Sequence, residues 1–250
     1  MNISILIRDN DQILISMKKI VLSLGGSILV PSLESNRIAQ YRDILRELSA
    51  KYKIYVVVGG GGEARRYINA ARSLDIDEAT SDELGILITR INASLLMWAL
   101  GEDAYPDIAE SYTDAIKFGS SGKIVVMGGI TPGQTTDAVA AVLAERLNAD
   151  LLLNITAIDG IYSEDPKKNP AAKKFSHLTP DGLIDIVSGG RMGAGANNII
   201  DLVAAKMIQR SSLSMIVIDG TKPENIPDAL IRGKFDGTLV STDKKKLLPL

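Results

Sequence analysis

The strongest constraint on this chain is a local pattern that recurs along it: a short apolar run, a break at glycine or a small polar residue, then a longer helical stretch. The runs are Ile20 to Leu24, Ile54 to Val58, Lys123 to Met127, Leu151 to Ile155 and Met215 to Ile218. Strands this apolar have no face for water, so they belong in a sheet covered on both sides, and strands separated by helices run parallel. The expectation is an α/β fold of βαβ units around a largely parallel sheet. Open α/β sheets take ligands just beyond the carboxyl ends of their strands. Because the first four runs each end at glycine or a small polar residue, their loops should contribute to one composite site.

Helix signals fill the gaps. Thr80 and Glu83 make a capping box that opens a long apolar helix, which Gly101 can close after Leu100. Thr135 or Thr136 can cap Asp137 to Leu147, Thr179 with Pro180 starts another helix, and Asn197 to Ser211 is amphipathic. With 46% hydrophobic and 23% charged residues among 250, and no repeat or linker, a single domain is expected from residue 17 to 250. A boundary near residue 150 would only divide two lobes, about 17–150 and about 151–250, of one sheet. The formal net charge of −2 advertises no nucleic-acid or membrane surface. The lack of cysteine excludes disulfides, thiolate metal sites and a cysteine nucleophile, and fits the cytoplasm. No apolar run approaches the roughly 18 residues of a membrane helix. Residues 1–16 lack the marks of a signal peptide, and Met17, Lys18 and Lys19 before the first strand read as a second chain start. Residues 1–16 are therefore expected to be an extension, or a short added edge strand.

The loops carry the chemistry. Gly25, Gly26 and Ser27 can crowd backbone N–H groups and a hydroxyl against an anion, though alone they also read as a tight turn. Gly59 to Gly62 is costly in chain entropy and implies close approach by something; phosphate fits, because a helix N-terminus follows with Arg65 on it. Gly128 to Thr136 is rich in donors and ends at a helix start. Asn154 to Tyr162, with Asp165 just beyond, offers hydroxyls, carboxylates and an aromatic face. No segment matches GxxxxGK[ST], and no strand leads into GxGxxG, so Walker-type kinases and Rossmann dehydrogenases lose their main support.

Taken in order, LGGS, VVVGGGGEARRY, GGITPGQTTDA and TAIDGIYSEDP resemble the amino acid kinase superfamily and, within it, UMP kinases of archaeal type, from Met17 to about Val240. The resemblance implies a three-layer αβα sandwich with a mostly parallel central sheet, a nucleoside monophosphate kinase using ATP and Mg²⁺, and a homohexamer built through dimers. It assigns Gly26, Ser27 and Gly61 with Arg65 to ATP, together with Thr156, Tyr162 and Asp165. To UMP it assigns Gly60, Asp82 and the segment Ile130, Thr131, Pro132, Gly133, Gln134, Thr135 and Thr136. Many relatives carry a lysine two residues before the first glycine; here that residue is Ser23. Lys206, oriented by Asp159, is the expected substitute beside Arg65 as a catalytic group, with Lys19 placed too early in its strand. No general base is needed, because the acceptor phosphate is already ionised. No metal cage is visible, and Mg²⁺ would arrive on ATP.

The remaining features are bland. His177 lies outside all the loops, Met97 and Trp98 read as core or subunit interface, and Lys244 to Lys246 as a solvated tail. Two readings compete. One is a relative acting on acetylglutamate, carbamate or isopentenyl phosphate; the other is a nucleotide sensor without turnover.

Overall fold

The computed structural model describes residues 17–166, 168–188, 200–243 and 248–250. The expectations for residues 1–16, for Lys244 to Lys246 and for the start of the helix at Asn197 lie outside them. In chain order the elements are β1 (Lys19–Leu24), α1 (Gly26–Leu29), α2 (Ile38–Ser49), β2 (Lys53–Val58), α3 (Gly61–Arg72), α4 (Glu78–Leu100), α5 (Tyr112–Gly119), β3 (Val125–Met127), α6 (Thr136–Leu147) and β4 (Leu151–Thr156). Then follow β5 (His177–Leu178), α7 (Pro180–Val187), α8 (Leu202–Ser211), β6 (Met215–Asp219), α9 (Asn225–Leu230) and β7 (Gly237–Val240).

The strands form one sheet in the order β3-β2-β1-β4-β6-β7-β5. All neighbours pair in parallel except β6 with β7. Strand alternation explains the three layers. Ile20, Leu22 and Leu24 join the core shared with α2, α4 and α9, whereas Val21 joins the core shared with α5 to α8. Ser23 has the parity of Val21, so it faces the α6 side. This parity becomes decisive in the site.

The five apolar runs appear as strands with ends shifted by at most a residue or two. The exceptions are β5 and β7. Each is short, and β7 begins GTLV, too polar and too brief to stand out before β6 and β5 supply its pairing.

Helix caps largely follow the sequence. Thr135 caps α6 and Thr179 caps α7. The long helix differs: Asp77, not Thr80, is its cap, accepting from Thr80 N at 3.0 Å and from Thr80 Oγ1 at 2.7 Å. A carboxylate beats a hydroxyl for the positive helix end, and Thr80 becomes its donor.

By length and composition α4 is apolar enough to cross a membrane, against the expectation that no such run exists. It packs instead on α2, α3, β2 and β3, and carries polar residues toward the strand ends.

Candidate active site

The first two loops interlock through backbone. Each prolongs a ladder: Gly25 N donates to Ile155 O at 3.1 Å and Gly59 N to Leu24 O at 2.9 Å. Between them there is no room for a side chain. A Cβ on Gly26 would lie 2.3 Å from both Gly59 O and Gly61 N, and one on Gly61, whose φ is +67°, would lie 2.8 Å from Ser27 N. The partner that approaches these glycines is therefore the other loop's main chain. Phosphate approach, expected from the sequence, is not what requires Gly26, Gly59 and Gly61. Gly62 has nothing within 4 Å of an added Cβ.

The interlocked loops floor a cavity of about 550 Å³ at the carboxyl edge of β1, β2 and β4. Here α3 begins without a side-chain cap, so its first amides keep the partial positive charge that attracts anions. Arg65 lines the cavity with no acidic partner among the described residues, whereas Arg66 spends its charge on Glu63 at 2.9 Å. A guanidinium left unpaired beside open helix amides is equipped to grip phosphate oxygens.

The opposite wall is α4 and the third loop. Thr89 Oγ1 donates to Ile86 O at 2.6 Å and accepts from Gly129 N at 2.7 Å, fixing where that loop leaves β3. Farther along, Asp82 Oδ2 accepts from Gly133 N at 2.8 Å, so the carboxylate expected to meet the acceptor also holds the loop's turn, where Gly133 has φ +76°. Thr131, Gln134 and Thr136 also line the cavity.

One carboxylate of the cavity carries no functional signal in the sequence. Asp137, which the sequence marks only as the start of a helical segment, lines the cavity and accepts from Ser23 Oγ at 2.6 Å. Thr135 Oγ1 donates to Asp201 Oδ2, and Asp201 caps α8 through Ala204 N at 2.8 Å. Burial pushes the Asp137 carboxyl up to about 6; the Ser23 hydrogen bond pulls it down and the nearby Asp201 charge pushes it further up. The two carboxylates belong to different βα units, so no local motif joins them. The available signal was parity, since Ser23 on the α6 face of β1 must meet the start of α6.

Of the expected site residues, Gly26, Ser27, Gly60, Gly61, Arg65 and Asp82 share this cavity, and so does Thr156. Other assignments fall outside it. Ile130 packs against the α6-side core, and Pro132 does not line the cavity. Tyr162 and Asp165 lie farther along the loop that leaves β4, beyond the cavity lining. The pairing of Asp159 with Lys206 is corrected: Asp159 accepts from Lys174 Nζ at 3.0 Å and from Tyr162 OH at 2.8 Å. Lys206 is exposed on α8 and outside the cavity lining. Lys19 is excluded as a strand substitute, because its Nζ donates to Leu147 O at 2.8 Å, at the far end of α6.

The model of the amino acid kinase family matches residues 18–219. The uridylate kinase of Methanoregula boonei is 58% identical over 234 residues, covering 94% of this chain and 100% of that protein. That of Methanoculleus marisnigri is 57% identical over 233 residues, covering 93% and 100%. The crystal structure of uridylate kinase from Archaeoglobus fulgidus superposes with a TM-score of 0.80 at 42% identity, covering 89% of this chain and 100% of that one.

Proposed function

This chain belongs to the amino acid kinase family, and on that premise we propose that it is a uridylate kinase, transferring the γ-phosphoryl group of ATP to UMP to give UDP and ADP. The observation that carries this reading is the single cavity in which open α3 amides and unpaired Arg65 face Asp82 and a donor-rich loop. Full-length similarity to the uridylate kinases of Methanoregula boonei and Methanoculleus marisnigri supports the choice of acceptor.

The acceptor belongs over β2 and β3, where Gly60, Asp82 and the third loop lie. The donor belongs over β1 and β4 and continues toward β6, along the loop bearing Tyr162 and Asp165. Residues 17–150 would thus serve mainly UMP and residues 151–250 mainly ATP. Phosphoryl transfer has a loose transition state that asks for alignment and charge compensation. The glycine-loop amides and Arg65 supply both, and the UMP phosphate is ionised near neutral pH, so no base is required. Lys206 would add positive charge only by reaching over from α8; near-normal turnover of Lys206→Met would remove it from the mechanism.

The chemistry that Mg²⁺ arriving with ATP would supply is neutralisation of phosphate charge. Among the described residues no cluster of three or more acidic or histidine ligands is present. The residues fit a cation held mainly by phosphate and water, with Asp137, which lines the cavity, as the carboxylate able to contribute. A cation beside Asp137 would favour its ionised form, against the burial that otherwise pushes this carboxyl up.

The test is ADP release with ATP and Mg²⁺ against UMP, CMP, acetylglutamate, carbamate and isopentenyl phosphate. UMP-dependent turnover is expected, with Arg65→Ala slower by about 100-fold or more. Asp82→Asn should raise the UMP KM about tenfold, the worth of one charge-assisted hydrogen bond, and leave the ATP KM near normal. Turnover with another acceptor alone would reassign the substrate, and ATP binding without turnover would make the protein a sensor.

The assembly proposed is a cytoplasmic homohexamer built from dimers. Its support is an apolar stripe on α4, where Leu87, Ile91 and Trp98 are 53%, 55% and 70% exposed. Ile91→Glu combined with Trp98→Glu should lower the mass measured by light scattering; an unchanged mass would place the subunit contact elsewhere.

A further inference from the structure

The second loop is made of the residue type least able to hold one shape. A peptide unit between glycines can turn over with little steric penalty, exchanging the direction of its C=O and N–H. A phosphate site built from such units therefore needs something to hold them. The neighbouring helix provides it. Asn92 on α4 is 5% exposed, and its Nδ2 donates to Gly59 O at 3.0 Å and, more weakly, to Gly60 O at 3.4 Å.

In a trans peptide the C=O and N–H point in opposite directions. Because Gly59 O is drawn toward Asn92, the N–H of Gly60 is directed away from α4; Gly60 O and the N–H of Gly61 behave alike. Those N–H groups belong to the residues that line the cavity and open α3.

We propose that Asn92 is a positioning residue for phosphoryl transfer, fixing the Gly59–Gly60 and Gly60–Gly61 peptides so that their N–H groups face the transferring phosphoryl group. It touches no substrate and acts through the loop. The inference rests on the uridylate kinase reading, which puts that group between Gly60 and Gly61. It also assigns a purpose to a buried amide on α4.

Asn92→Leu keeps the approximate volume and removes the donor. It is expected to lower kcat about 100-fold, the effect of losing a preorganised donor, while the UMP KM stays within about threefold. Asn92→Asp adds a readout that a packing role would not move. Ionised, the introduced carboxylate sets a negative oxygen against two carbonyls; protonated, it regains one donor for Gly59 O. The rate of this variant relative to the parent enzyme at the same pH should therefore rise as the pH falls from 8 to 6. Thermal denaturation of each variant establishes that it is folded, and only folded variants are compared.

A folded Asn92→Leu with kcat within threefold of the parent, or an Asn92→Asp ratio flat with pH, overturns the proposal. Should Asn92→Leu fail to fold, the Asn92→Asp pH ratio decides alone. Should the parent enzyme itself show no UMP-dependent turnover, the functional reading falls first. The loop claim is then read from tripolyphosphate affinity, which Asn92→Leu should weaken and which unchanged binding would contradict.

Discussion

Asp137→Asn is expected to produce a protein that is more stable than its parent at pH 8 and almost inactive. The reason is a carboxyl that folding holds up at about 6 against an ordinary 3.8. Between those values the unfolded chain releases a proton that the folded one keeps, so stability falls as the pH rises through this window and levels off above it. At 1.36 kcal/mol per pH unit the loss amounts to about 3 kcal/mol. Asparagine cannot ionise and can still meet the Ser23 hydroxyl. The two proteins should therefore unfold alike near pH 4 and diverge to about 3 kcal/mol in favour of the variant at pH 8, as measured by urea denaturation without nucleotide. Turnover should drop by about 1,000-fold, because a carboxylate that lines the cavity loses its charge. Equal pH slopes in the two proteins would refute the electrostatic account, and retained activity would remove Asp137 from the chemistry.

The second large effect is steric. Gly26→Ala puts a methyl group 2.3 Å from Gly59 O and from Gly61 N, both main-chain atoms at the end of a central strand and the start of a helix. Neither can yield without breaking a ladder that holds β1 to its neighbours. A loss above about 4 kcal/mol is expected, enough to leave little folded protein. Gly62→Ala, in the neighbouring loop, meets nothing within 4 Å and lies in α3. There alanine favours helix and should stabilise by about 0.5–1 kcal/mol. Melting the two variants beside the parent checks both. Similar melting temperatures for Gly26→Ala and the parent would mean that the loops are less tightly interlocked than their geometry implies.

The same residues show which levels of the molecule are legible in its sequence. Apolar runs dictate the central strands, and the glycine clusters after them mark the cavity, because both signals are local. The glycines' purpose is only half legible. That Gly26 faces Gly59 depends on β1 lying beside β2, which no local window contains. Ser23 and Asp137 meet across 114 positions, and each alone resembles an absence or a routine first-turn acid. The search for a substitute for the missing strand lysine gives Asp159 to Lys206, yet Lys174 reaches it through the pairing of Tyr162 with Lys174 that follows the same loop. Asp77 displaces Thr80 as a cap within a few residues, through the greater strength of a charged acceptor at a helix N-terminus.

The interlocked loops also bear on how such a molecule can change over generations. A side chain gained at Gly26, Gly59 or Gly61 meets main chain within 2.8 Å, so these positions are closed to gradual drift. The third loop is the opposite case: at Gly133 no main chain crowds in and only the backbone φ of +76° asks for glycine, while the Asp82 carboxylate holds the turn to α4 and leaves the residues around it free to vary. Variation can accumulate there without disturbing the part that aligns phosphates. On the uridylate kinase reading, the fold thus separates a fixed transfer apparatus from a replaceable acceptor grip, an arrangement in which new acceptors could be tried while the transfer step stays intact.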